Sequence, residues 1–321
     1  MVMPPHKNGG NMKKFVITAI IAVTLITACI GQQEETPVEG EKVETEGWTA
    51  EDWKNHLSLM DPTLSQEAST LLPGFRNPQN LTVGTHLVYD LEMEGTILGM
   101  EMSIPAVMDI TFSGKETIDG IDCLIIDLLT SMEMTAQNMT MKMEMVGTEW
   151  IDDTTGALVK AVLDMEADMG GEEAPLPMSL TIERVGEEQY KDHDCWILEL
   201  RQEMEITGAD TGEIKVLQYM DKESQAVVRQ LITFGEQEID SGYIEPPPPG
   251  ETEWELGAVE TITTELGTYE CQLIYLKQGG ETIGTLWASK EFSTPLKYIF
   301  SASQAGSSFT TTTILIAYSA G

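Results

Sequence analysis

Basic residues are scarce in this sequence, and histidine and cysteine are scarcer. Lys and Arg number 18 against 53 Asp and Glu, with four His and four Cys, for a formal net charge of −35. A surface so poor in positive charge repels nucleic-acid phosphates and anionic lipid headgroups, which excludes both as partners of the body. The acids are dispersed along the chain and no D-x-D-x-D-G calcium loop occurs, so their role is read as solubility in salt rather than specific cation binding. Missing too are G-x-S-x-G, H-E-x-x-H, Cys-x-x-Cys and a phosphate-cradling glycine loop. No catalytic residue, metal ligand or cofactor is therefore expected, and the chain is read as a non-enzyme.

Long apolar runs are also lacking. Met12-Lys13-Lys14 opens a short positive region, and Phe15 to Ala28 follows as fourteen residues without a charge. That is short of the roughly 20 apolar residues that cross a bilayer, but it suits the apolar region of a secretory signal. Residues 1–11 carry no pattern of their own and are read as an upstream extension. The stretch ends in Leu25-Ile26-Thr27-Ala28-Cys29, which resembles the lipobox of bacterial and archaeal lipoproteins. The resemblance implies cleavage after Ala28, lipid on Cys29 and residence on the extracytoplasmic face of the cell membrane. Two acyl chains on that cysteine would hold durably where one would not. An uncleaved helix would leave the same bulk outside. Cleavage removes Lys7, Lys13 and Lys14 and no acid, leaving 15 bases against 53 acids, a net charge of −38.

Gln32 to Gly47 (QQEETPVEGEKVETEG) is charged and almost free of large apolar residues, as a disordered tether would be. Thr49 is placed to cap a short helix over Ala50–Met60, with Glu51 and Asp52 in its first turn and Trp48, Trp53 and Leu57 along one side. From Gly84 onward period-two alternation predicts strands over 86–93, 121–134, 139–152 and 158–169, with turns at Asp119-Gly120 and Thr155-Gly156. No helical pattern intervenes, so the pairing should be antiparallel and meandering. The proline run at 246–250 marks a linker. The organisation expected is a signal at 1–28, lipidated Cys29 and acidic tether at 29–47, and a helical and loop segment at 48–83. A large β domain follows at 84–245, then a Pro-rich linker at 246–251 and a last β unit at 252–321.

Three segments share a spacing. Each has an acid-cysteine pair opening a strand, then an aromatic, then a basic residue ten positions after it: Asp122-Cys123, Trp150, Lys160; Asp194-Cys195, Tyr219, Arg229; Glu270-Cys271, Trp287, Lys297. The physical reading is a repeated hairpin unit whose cysteine packs inward and whose basic head snorkels to solvent. Three cysteines after Cys29 cannot all pair within one chain, which suits buried thiols. The unit resembles LolA-like half-barrel lipoproteins on Gly84-Thr85-His86-Leu87-Val88-Tyr89, the Gly-x-Glu…Cys strands and the aromatic…basic strands. The resemblance implies a mainly β fold of curved antiparallel meander sheets, half-barrel-like, and lipid or apolar-ligand handling or assembly at the envelope.

Met139, Met141, Met143 and Met145 fall on one face of a single strand, with Met132 and Met134 on the strand before. Such flexible thioethers suit either an ordinary core or a groove for an apolar ligand, and less well Cu(I), since no His is near. Asp192-His193-Asp194-Cys195 is read as a turn-to-strand junction rather than a Cys/His nucleophile. Asn80 and Asn138 stand in glycosylation sequons. Two functions follow: a tethered β protein binding a lipid or apolar small molecule, for which an open Met-lined hollow would speak, or an interaction lipoprotein holding envelope proteins, for which a plugged face would.

Overall fold

The computed structural model describes residues 48–58, 60–61, 74–75, 77–97, 100–136, 139–168, 176–204, 212–223, 227–235, 237–244, 253–278, 280–304 and 307–321. Cys29, its signal, the acidic tether and Asn138 lie outside them.

Thr49 caps a seven-residue helix, α1 (Ala50–His56), through a capping box: its hydroxyl accepts from the Asp52 N–H at 3.2 Å while the Asp52 carboxylate accepts from the Thr49 N–H at 2.7 Å. The helix stops short of the expected Met60. Its C-cap, Leu57, is extended, and the Ser58 N–H donates to the Ser293 carbonyl at 2.6 Å, turning the chain onto the β body. The last turn's orphan carbonyls are met by side-chain amides. Asn77 donates to Lys54 O at 2.7 Å and Leu57 O at 2.9 Å, and Asn80 donates to Asn55 O at 2.7 Å. A glycan on the Asn80 nitrogen would replace one of the hydrogens available for that cap. Trp53 and Leu57 are buried in the core, as the stripe of aromatics and leucine suggested.

Two-residue strands β1 (Met60–Asp61) and β2 (Gly74–Phe75) pair with each other. Fifteen longer strands form one antiparallel sheet. The first group comprises β3 (His86–Ile97), β4 (Met100–Ile118), β5 (Ile121–Ala136), β6 (Met139–Asp152), β7 (Leu158–Asp168), β8 (Leu176–Tyr190), β9 (His193–Met204), β10 (Gly212–Asp221), β11 (Val227–Phe234) and β12 (Gln237–Asp240). The second comprises β13 (Glu253–Thr264), β14 (Gly267–Gln278), β15 (Glu281–Ala288), β16 (Lys297–Gln304) and β17 (Ser307–Ser319). Each group meanders through short turns. Asp119 and Gly120, both at positive φ (50° and 85°), make the tight β4–β5 turn whose twist matches the flanking strands.

The groups join where β17 pairs with β3, from Ser308↔Thr96 to Ser319↔His86. The segments before and after the proline run thus share one sheet, and β12 and β13 are its edges. Fourteen antiparallel pairings separate those edges, an even number, so β12 and β13 run in the same direction. An antiparallel ladder between them is ruled out by that count, and the curved sheet stays open there.

Between its edge strands, one face of this sheet is buried. In β7, Ala161, Leu163, Met165 and Ala167 are buried while Val162, Asp164, Glu166 and Asp168 are exposed, and neighbouring strands alternate in step. The inner residues of β3–β10 and β14–β17 form one continuous apolar cluster with α1. At Gly147 a Cβ would lie 2.3 Å from the Val162 carbonyl oxygen, so the close approach of β6 and β7 admits only glycine.

One inner-face residue breaks the pattern. Glu149 is 1% exposed in the cross-strand row Phe112–Ile126–Glu149–Ala161–Ile182, and its Oε1 has no hydrogen-bond partner. Burial alone pushes its carboxyl up to about 8, so it is protonated at neutral pH. The folded state then holds a proton that the unfolded chain releases near 4.5, so the stability it contributes at low pH is lost as pH rises from about 4.5 to about 8. By pH 7 the loss is roughly 3 kcal/mol at 1.36 kcal/mol per pH unit. Urea midpoints measured between pH 5 and 8 should fall in the wild type, and Glu149→Gln should remove most of that slope. An unchanged slope would place the pH dependence elsewhere.

Candidate functional site

The methionines come together on the inner face. Met132 pairs with Met143 and Met134 with Met141 across the β5–β6 hairpin, and Met145, Met165 and Met178 form a row over β6, β7 and β8. Met145 is fully buried, Met143 is 6% exposed, and Met165 and Met178 are 7% exposed. Met132, Met134 and Met141 are half-buried, and Met132 and Met141 pack against the core. Met139 opens β6 opposite Ala136. Met108 and Met178 belong to the same core but were not singled out by sequence, because each lies several residues from any other methionine of its strand and only strand pairing brings it to the others. Met143, Met145, Met165 and Met178 are thus taken up by core packing.

The ten-residue spacing of the three segments is a hairpin register. Trp150 faces Lys160, Tyr219 faces Arg229 and Trp287 faces Lys297 as direct cross-strand partners. The basic heads do not simply snorkel to solvent. They lie 5.4, 5.2 and 4.7 Å from the facing ring centroids, where the ring quadrupole attracts a cation. Trp150 and Trp287 each donate their indole N–H to a glutamate, Glu116 at 2.9 Å and Glu260 at 2.8 Å. Those glutamates face Cys123 and Cys271 across the ladder, and Glu188 faces Cys195. All three cysteines are free and buried, and each thiol points to the carbonyl two residues before it. Burial pushes all three thiols up, Cys271 to about 11, which keeps them protonated and poor nucleophiles.

Around Asp192-His193-Asp194-Cys195 the contacts describe a clasp. His193 Nδ1 lies 3.3 Å from Asp221 Oδ1, and its Nε2 lies 3.0 Å from the Tyr243 hydroxyl. Lys191 Nζ sits 3.6 Å from the Tyr243 ring centroid, and Arg229 grips Asp240 at 2.7 and 3.2 Å. With the Ile244 N–H donating to Val228 O, they fasten the segment after β12 along β11.

The opposite, solvent-facing side of β3–β7 carries a shallow concavity of about 500 Å³. Pro105 and Val107 contribute apolar surface, and Asp90, Glu133, Glu144, Glu166 and Asp168 ring it with acid. Glu144 and Glu166 are direct cross-strand partners, a like-charge pairing that costs stability. The one base of the lining is Lys142, 3.6 Å from Glu133 and 68% exposed, so it neutralises little. Among the described residues no group of three or more His, Cys, Asp or Glu is arranged to hold a metal ion, and no helix is long and apolar enough to cross a membrane.

Compared with known proteins, the chain matches no family model and no curated protein sequence.

If the methionine face is core, truncation costs follow burial. Met145→Ala should destabilise the protein by about 2–5 kcal/mol and half-buried Met141→Ala by clearly less, read as urea midpoints. Equal, small losses at both positions would indicate an adaptable groove instead.

Proposed function

We infer that this chain is a membrane-anchored extracytoplasmic lipoprotein, held by lipid on Cys29, whose acidic β body is a non-enzymatic interaction platform of the cell envelope. The observation that carries the reading is the division of the sheet's two faces. The inner face is occupied by its own side chains around Met145, and the concavity the fold leaves lies outside, ringed by acid. A filled core has no room for a small ligand without repacking, whereas an exposed sheet face is open to a protein. The protonated, buried thiols and the His193 clasp supply no nucleophile, which fits binding rather than turnover.

The alternative of a lipid or apolar-ligand binder is favoured by one feature. Met132, Met134 and Met141 are half-buried. Native mass spectrometry with envelope lipid extract separates the two readings. The platform should emerge without added lipid mass, and a reproducible adduct lost on Met141→Glu would move the assignment to the ligand binder.

Two further measurements test the platform. Cys29→Ser should abolish metabolic lipid labelling and shift the protein out of the membrane fraction; labelling that persists would refute the anchor. Photo-reactive residues spread over the solvent-facing side of the whole sheet should give discrete cross-linked partners in intact cells, and adducts from none of these positions would refute the platform.

A further inference from the structure

The outward face of an antiparallel sheet is ordinarily polar where it meets water. Here four apolar residues break that rule in register. Val107 on β4, Leu129 on β5, Val146 on β6 and Val162 on β7 are 43, 46, 54 and 38% exposed. Leu129 and Val146 are direct partners. Val107 faces Ser131, two residues from Leu129, and Val146 faces Asp164, two residues from Val162. Such diagonal neighbours are about 7–8 Å apart, so the four side chains form one oblique stripe over four strands. With strands about 4.8 Å apart and a rise of about 3.3 Å per residue, the stripe is roughly 20 Å long. That is the length of a helix of roughly 13 residues.

Acids flank the stripe on both sides. Asp109 and Asp127 lie along one side, and Glu144, Asp164 and Glu166 along the other, leading into the concavity. Asp109 is met by His86 at 2.7 Å and Asp127 by the Thr148 hydroxyl at 2.8 Å. Glu144 and Glu166 face each other, and neither forms an ion pair among the described residues. Positive charge arriving on that flank relieves a repulsion already present in the free protein, while an apolar ridge covers the stripe.

Resting on the platform reading, the geometry points to the outer face of β4–β7 as the docking surface for a basic amphipathic helix of a partner protein, its apolar ridge along Val107–Leu129–Val146–Val162 and its Lys or Arg side chains against the flanking acids. Charge complementarity selects this occupant. A second copy brings another net charge of −35, and an anionic membrane or a nucleic acid is repelled in the same way. The steering should be salt-sensitive, whereas the apolar stripe supplies the discrimination between a basic helix and any other polycation.

The test uses two fluorescent 14-residue peptides of equal charge, one with leucine and lysine at helical spacing and one with serine replacing leucine. Each is titrated by anisotropy with the full chain carrying Cys29→Ser at about 0.15 M salt. The leucine peptide should bind at least about tenfold tighter than the serine peptide. Leu129→Ser with Val146→Ser, which leaves charge unchanged, should erase that advantage while thermal melting stays put. Phe234→Ser with Ile239→Ser, equally exposed apolar residues near the β12 edge, should leave it intact. Equal affinity for both peptides, an advantage that survives the Leu129/Val146 change, or one lost with Phe234/Ile239 would overturn the assignment. Cross-linking in cells separates this failure from that of the platform. Partner adducts from other outer positions but not from Leu129 would discard this surface and keep the platform, and adducts from nowhere would discard both.

Discussion

The pairing of β17 with β3 is the contact on which the rest of the architecture depends. It joins two meanders that the proline run would otherwise leave as neighbours on a string, and it turns the first and last long strands of the body into the middle of a fifteen-stranded sheet. The free edges are thereby moved to β12 and β13. Because those edges run in the same direction, they cannot continue the ladder that built everything else. Curvature, rather than closure, has to bury the inner face.

Burying one face of the sheet over β3–β10 and β14–β17 explains the side chains found there. Methionine fills the irregular spaces between curved strands because its unbranched thioether adapts where a β-branched residue would not. The hairpin ends need a different device. Each of the three corresponding hairpins stacks a cation on a ring, and in two of them the indole is also tied to a glutamate across from a buried cysteine. Glu149 stands against this economy: a carboxyl surrounded by Ile126, Ala161 and the rest of the core is held neutral by desolvation rather than by a partner.

The outer face follows from the same alternation. On β3–β7 the residues alternating with the inward ones face solvent, and Asp90, Asp109, Asp127, Glu144, Asp164 and Glu166 among them lie around an oblique apolar stripe. Strand register alone brings Glu144 against Glu166 and Leu129 against Val146. The function argued for this chain is therefore a property of cross-strand neighbours, which lie far apart along the chain, and not of any linear motif.

Much of the fold was legible in the sequence. Period-two alternation gave the strands from His86 onward, Asp119-Gly120 gave a tight turn, Thr49 with Asp52 gave the helix start, and the acid-cysteine, aromatic and basic spacing reported hairpin length because a cross-strand pair sits at a fixed distance on either side of its turn. The early stop of α1 was not legible, since it depends on a bond from Ser58 to Ser293, far away in the chain. Nor was the fate of the methionines, because one strand's pattern tells which residues share a face but not what covers that face. Local chemistry in this sequence determined the elements, their alternation and their turns, all of which are set by residues within a few positions of one another. Only the tertiary structure decided that β17 pairs with β3, that Met143 and Met145 are buried in the core and that the stripe from Val107 to Val162 faces water, because each depends on which distant strands lie side by side.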